Sequence, residues 1–141
     1  MVTASNATAV YPAGTTRKYY RIASNDDPVN VIRYAEVILT IAEVAAQTND
    51  LITAQSQLNT IRTNAGLAPT KATTQAALLT DILLQRRLEL AQEGHYWFDL
   101  RRTNTVQTAL PAYTEAFRNL WPIPQQEIQN SAGVLTQNPG Y

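Results

Sequence analysis

Cysteine is absent from this 141-residue chain, which excludes a disulfide framework, a thiolate metal site, a cysteine nucleophile and a lipidated amino-terminal cysteine within it. A single histidine, with no other ligand at a suitable spacing, argues against a metal centre. No metal and no cofactor is therefore expected. Nothing has the form of a phosphate-cradling glycine loop, a nucleophile elbow or a zinc-type spacing. Neither sign of charge dominates: Lys plus Arg and Asp plus Glu stand at 11 each, so no field draws the chain to nucleic acid or an anionic membrane surface. No nucleic-acid partner is expected. Apolar runs fall far short of the roughly 20 residues of a membrane span. Residues 1–10 lack the basic start and apolar stretch of a signal peptide. As it stands, the chain is expected to be soluble and to carry no export address.

What is present reads as one helical domain, of a length that can bury a real core. Residues 1–27 form an irregular lead with one short piece, Arg17 to Ile22, that could be extended. Asp26-Asp27-Pro28 supplies a cap and a proline at the first helical position, so a helix is predicted from Pro28 to about Gln47. Its polar residues Arg33, Glu36, Thr40, Glu43 and Gln47 recur three or four apart, forming one narrow stripe on an otherwise apolar cylinder. That is the reverse of a surface helix, so this one should be wrapped on most sides.

After a turn at Thr48-Asn49-Asp50, a second helix is predicted from Leu51 to Ala65, with Leu51, Ala54, Leu58, Ile61 and Ala65 on one face and Gly66 as its left-handed stop. Helices joined this tightly pack antiparallel. The spacing of Ala42 and Ala54 among Ile38, Ile41, Leu58 and Ile61 is that of a tetratricopeptide-type pair. No second copy follows, so either neighbouring repeats lie in a missing amino-terminal portion or the third helix replaces them. That third helix should begin after a Thr74 cap and run through Leu79, Ile82, Leu83, Leu88 and Leu90 to Glu93, with Gly94 as its stop. A short helical piece is predicted from His95 to Arg102. Residues 103–119 are poorly periodic, Leu120 to Pro124 should be extended, Gln125 to Ile128 could form one turn of helix, and Gln137 to Tyr141 should end as a turn. The fold class is thus all-α: an antiparallel tetratricopeptide-like pair, a third long helix, and extended irregular carboxy-terminal segments.

Charge and aromaticity concentrate between Arg86 and Arg102. Glu89 and Glu93 fall four apart, and paired carboxylates serve glycosidases, but adjacent turns of one helix do not enclose a sugar across the roughly 5–9.5 Å such chemistry needs. No catalytic residue is expected. Arg86, Arg87, Glu89 and Glu93 should instead pair with one another and with Asp99, Arg101 or Arg102, fixing the helix end to the aromatic turn. Buried charges persist only when paired. His95, beside a helix-ending glycine, should be structural. Consecutive aromatics such as Tyr96, Trp97 and Phe98 usually divide between core and surface. Trp97, with Tyr19, Tyr20 and Tyr113 from irregular stretches, are the candidates for an exposed ring that meets a ligand.

Four separate pieces resemble the SusD/RagB family. They are Asn30 to Leu39 with Ala42-Glu43; Leu58 to Arg62 with Ala65-Gly66-Leu67; the Arg86 to Arg102 run; and Trp121-Pro122-Ile123-Pro124 with Glu127-Ile128 and the closing Gln137-Asn138-Pro139-Gly140-Tyr141. Gln85, Gln92 and Tyr96 depart from that pattern, weakening a charge network more than a fold. Family members are several times longer, so the chain looks like a carboxy-terminal portion, with 28–141 as its helical domain. The resemblance implies a non-catalytic, surface-exposed lipoprotein of the cell outer membrane. Such a parent binds an oligosaccharide and delivers it to a TonB-dependent, SusC-like transporter. Its sugar platform would lie largely in parts this chain lacks. The alternative is a stand-alone tetratricopeptide-like helical protein-interaction module, acting through the polar stripe of either helix. Loss of packing partners for the first helix would also favour self-association of the chain.

Overall fold

A computed structural model of the chain describes Lys18 and residues 30–141. Backbone contacts divide the chain into two units, Met1–Arg33 and Tyr34–Tyr141. The predicted irregular lead, including Tyr19 and Tyr20, lies outside the described residues apart from Lys18, which sits at a bend. In the second unit the elements are α1 (Tyr34–Gln47), α2 (Leu51–Asn64), α3 (Gln75–Glu89), α4 (His95–Arg102), α5 (Val106–Ala109), a 3-10 turn (Ala116–Asn119) and α6 (Gln125–Asn130). Among the described residues there is no strand, and the fold is all-α.

α1 is the shared element, packed against both α2 and α3, which also meet each other. Ile38, Leu39, Ala42, Ala45 and Ala46 of α1 are buried with Ala54, Leu58 and Ile61 of α2 and with Leu78 and Ile82 of α3. Ala42 and Ala54 are both fully buried, and their small side chains let the two helices approach closely. The join between them is set by local chemistry. Asp50 N–H donates to Ala45 O (2.8 Å) and Asn49 N–H to Ala46 O (3.1 Å), while Asn49 takes φ 63°. This Schellman arrangement satisfies carbonyls the helix end leaves open. Asp50 then caps α2, accepting from Thr53 N–H at 3.1 Å. The Thr53 hydroxyl and its N–H hold this exposed carboxyl below the usual range.

α2 closes the same way, with Gly66 at φ 72° and Leu67 N–H on Arg62 O at 2.8 Å. The loop to α3 is tied down by side chains. Thr70 N–H donates to Asn59 Oδ1 (2.8 Å), Thr70 Oγ1 donates to Asp81, and Arg62 Nε donates to Ala68 O (2.9 Å). Gln75 Nε2 reaches the last carbonyls of α1, Ala46 O (2.9 Å) and Gln47 O (3.1 Å), joining the start of α3 to the end of α1.

Three expectations need correction. α1 begins at Tyr34 rather than Pro28: residues 30–33 are not helical, and Val31 and Ile32 are exposed, so these β-branched residues gain no packing that would offset their poorer helix propensity. α3 stops at Glu89, one turn early, because Gln92 adopts φ 67° and turns the chain back; Leu88 is consequently exposed. α1 is not wrapped on most sides. Tyr34, Val37, Ile41 and Val44 form an exposed apolar row along it.

Ile82 is fully buried where α1, α2 and α3 meet. Ile82→Ala is expected to lower stability by about 2–5 kcal/mol, the range for emptying such a site. Urea unfolding of the chain followed by circular dichroism measures it, and a loss under about 1 kcal/mol would show that the three helices do not share one core.

Candidate functional site

Leu90 to Gly94 turn the chain between α3 and α4, and Gly94 takes φ 82°, a backbone state that costs a side-chain-bearing residue more than glycine. The turn folds α4 back so that Asp99, buried, meets the end of α3. Arg86 Nε donates to Asp99 Oδ2 at 3.0 Å and Arg86 Nη1 to Thr40 Oγ1 at 3.3 Å. Arg102 takes the other carboxylate oxygen, Oδ1, from Nε at 2.9 Å and from Nη2 at 2.8 Å. The same guanidinium forks onto Glu43, with Nη2 2.7 Å from Oε2 and Nη1 bonded to Oε1. Hydrogen bonds to Glu43 chiefly, opposed by desolvation and aided by Asp99, push the Arg102 guanidinium above its ordinary value. His95 Nδ1 lies 3.3 Å from Glu36 Oε1. The polar stripe of α1 is therefore occupied from within the chain by groups from α3 and α4.

Of the residues expected to form a charge network, Arg86 and His95 are brought to α1, and Asp99 is brought to Arg86. Arg102, not Arg101, is the arginine on Asp99, and Arg101 is half-buried nearby in sequence. Glu89 closes α3 while Glu93 lies in the turn beyond it, so they do not share a helix as predicted; both are half-buried and neither is free. Thr40 and Glu43 are the partners sequence reasoning missed, since 46 and 59 residues separate them from Arg86 and Arg102.

A second cluster lies on the carboxy-terminal side. Trp97 of α4 meets Tyr113 edge to face, ring centres 5.5 Å apart at 73°. Phe117 meets Tyr141 in the same manner, at 5.0 Å and 84°. With Arg118, Trp121 and Gly140 these rings line an open cleft of about 720 Å³. Gly140, at φ 98°, lies so close to Phe117 that a Cβ there would collide with the ring, which is why no larger residue fits. Trp97 and Tyr113, both named as candidates for a ligand contact, come together; Phe117, Trp121 and Tyr141 were not singled out. A spacing signal existed, because Tyr113, Phe117 and Trp121 fall four apart.

The sequence profile of the SusD family matches residues 3–116. The chain belongs to the SusD family. SusD-like protein P2 of Formosa agariphila is 27% identical, across 88% of this chain and 30% of its own length. A solved SusD superfamily protein of Parabacteroides distasonis is 30% identical with a TM-score of 0.72, covering 86% of this chain and 29% of that one. A laminarin-binding SusD-like protein is 37% identical with a TM-score of 0.67, covering 80% of this chain and 23% of that one. The chain thus spans less than a third of each of these SusD-like relatives.

Asp99→Ala is expected to cost about 3–5 kcal/mol, because it leaves the Arg86 guanidinium buried without its carboxylate. Chemical denaturation of the variant beside wild type reads this directly. A loss below about 1 kcal/mol would mean that Arg86 finds another partner and that the pair does not hold α4 in place.

Proposed function

We propose that this chain is the carboxy-terminal part of a glycan-binding lipoprotein of the outer membrane, one that hands oligosaccharide to a TonB-dependent, SusC-like transporter without breaking bonds. The observation that carries the reading is SusD-family membership together with 37% identity to a laminarin-binding relative. Chemistry points the same way. A cleft walled by rings, with one guanidinium among its lining side chains, suits stacking and hydroxyl contacts. Among the described residues no helix is long and apolar enough to cross a membrane.

The rival reading, a stand-alone interaction module, relied on an open polar stripe. On α1 that stripe is engaged by Arg86, Arg102 and His95. The exposed face of α1 is the apolar one, and we propose that upstream helices of the longer parent cover it.

A panel of soluble glycans that includes laminarin, titrated by calorimetry into the full-length parent, is expected to yield at least one saturable ligand and no reducing-end release. Silence across the panel, or turnover, contradicts the reading. Separately, the Tyr34, Val37, Ile41 and Val44 row should make the chain self-associate as its concentration rises. Sedimentation velocity tests this, and a clean monomer at every concentration refutes the assignment of that face as one needing cover.

A further inference from the structure

We infer that residues 137–141 are a clasp that opens and closes in one cooperative step, so that the stretch from Glu115 to Tyr141 unlocks as a unit while the three-helix core stays folded. The device is independent of any ligand.

Each contact of the clasp runs back to one short stretch. Leu120 is extended, at φ −102° and ψ 151°, and residues 121–124 belong to no helix, so their backbone groups need partners from elsewhere. Gln137 supplies two of them at Ile123, accepting from its N–H at 2.8 Å and donating to its carbonyl at 2.9 Å. Asn138 Nδ2 donates to Trp121 O at 2.7 Å, and Tyr141 OH donates to Leu120 O at 2.8 Å. The Tyr141 ring meets Phe117 edge to face, and Gly140, at φ 98°, lies against the same ring.

These contacts depend on one another. A side-chain amide that bonds both backbone groups of one residue must be held in one place at one angle, and holding it costs rotamer entropy. Gln137 Oε1 also accepts from Asn138 N–H at 2.9 Å, so the amide that fixes Ile123 is itself oriented by the next residue of the clasp. Asn138 O in turn accepts from Tyr141 N–H at 3.3 Å, which carries the constraint on to the ring contact at Phe117. Without that ring contact the polar bonds lose the frame that positions them. Groups that share one network in this way are energetically coupled.

The stretch is also closed on itself. Among the described residues, the hydrogen bonds made by residues 115–141 have both partners inside that stretch, and its one ion pair, Arg118 with Glu115, lies there too. The buried core cluster is drawn from α1, α2 and α3 alone. Opening the clasp therefore breaks no hydrogen bond of that core. A segment joined to its protein in this manner opens locally, at a lower free energy than global unfolding.

Hydrogen exchange on the full-length parent, read by mass spectrometry with residue-level fragmentation, tests the device. Pro122 and Pro124 carry no amide hydrogen, so Ile123 alone reports between them. In Gly140→Ala a Cβ is driven into the Phe117 ring at positive φ, and exchange at Ile123 is expected to speed up by roughly tenfold or more, although Gly140 makes no bond to Ile123. The cooperative signature is one common factor at Leu120, Ile123 and Asn138, with α2 keeping its wild-type protection. Tyr141→Phe, which removes only the bond to Leu120 O, should give a smaller factor that is again equal at the three amides. Acceleration confined to residues 138–141, or factors that differ from residue to residue, would show that the contacts act separately and overturns the clasp. Acceleration that reaches α2 to the same extent would make the opening global and overturns it as well.

Discussion

One carboxylate, Asp99, lies between two guanidinium groups, and the position of everything after α3 depends on it. Arg86 reaches it from α3, Arg102 from the end of α4, and both arginines continue to α1, through Thr40 and Glu43. Two cations about one anion would be unbalanced at the edge of a core; Glu43 supplies the second negative charge and the four residues sum to zero. Burying such a set is weak evidence for stability, since desolvation offsets much of the attraction. What it supplies is selection, because only one placement of α4 pairs every charge. A slipped helix would leave a guanidinium in the interior without a partner.

That electrostatic placement also sets the aromatic cleft. Trp97 precedes Asp99 by two residues, and at 3.6 residues per turn side chains two apart point to nearly opposite sides of a helix. With Asp99 turned into the charge network, Trp97 is turned away from it, toward Tyr113 at 5.5 Å. The end of α4 then fixes the next step. Asn104 adopts φ 55° and Thr105 N–H bonds Leu100 O at 2.9 Å, the same closure that ends α1. Val106, fully buried, anchors the chain just beyond. The polar network and the ring cluster are thus two faces of one short helix.

Local signals in the sequence were legible where the physics is local. The Leu51, Ala54, Leu58 and Ile61 spacing, the Thr74 cap and the Gly66 stop each mark a feature decided within a few residues. Errors arose where a distant or unusual state decided the outcome. Leu88 and Leu90 continue an apolar pattern, so only the left-handed backbone of Gln92 reveals that α3 has ended, and a non-glycine residue gives no warning of that state. Asp26-Asp27-Pro28 reads as a helix start, but Val31 and Ile32 are exposed and tertiary packing, which supplies most helical stability, begins only with Ala35. The stripe on α1 was visible as polar; that it receives arginines from far along the chain was not. Likewise the run of Tyr113, Phe117 and Trp121 was readable, while the return of Gly140 and Tyr141 onto it was not.

The carboxy-terminal third shows how an extended segment stays ordered without a strand beside it. Backbone donors and acceptors there need partners as strictly as in a sheet, and the Gln137 amide provides both at Ile123, imitating the paired bonds of an antiparallel neighbour. Side-chain amides do this only if their own backbone is placed, and that placement comes from the far end. Gly140 lies against Phe117, and Tyr141 both meets that ring edge to face and bonds Leu120 O. The last residues are therefore a clasp, and what the clasp holds open is Trp121.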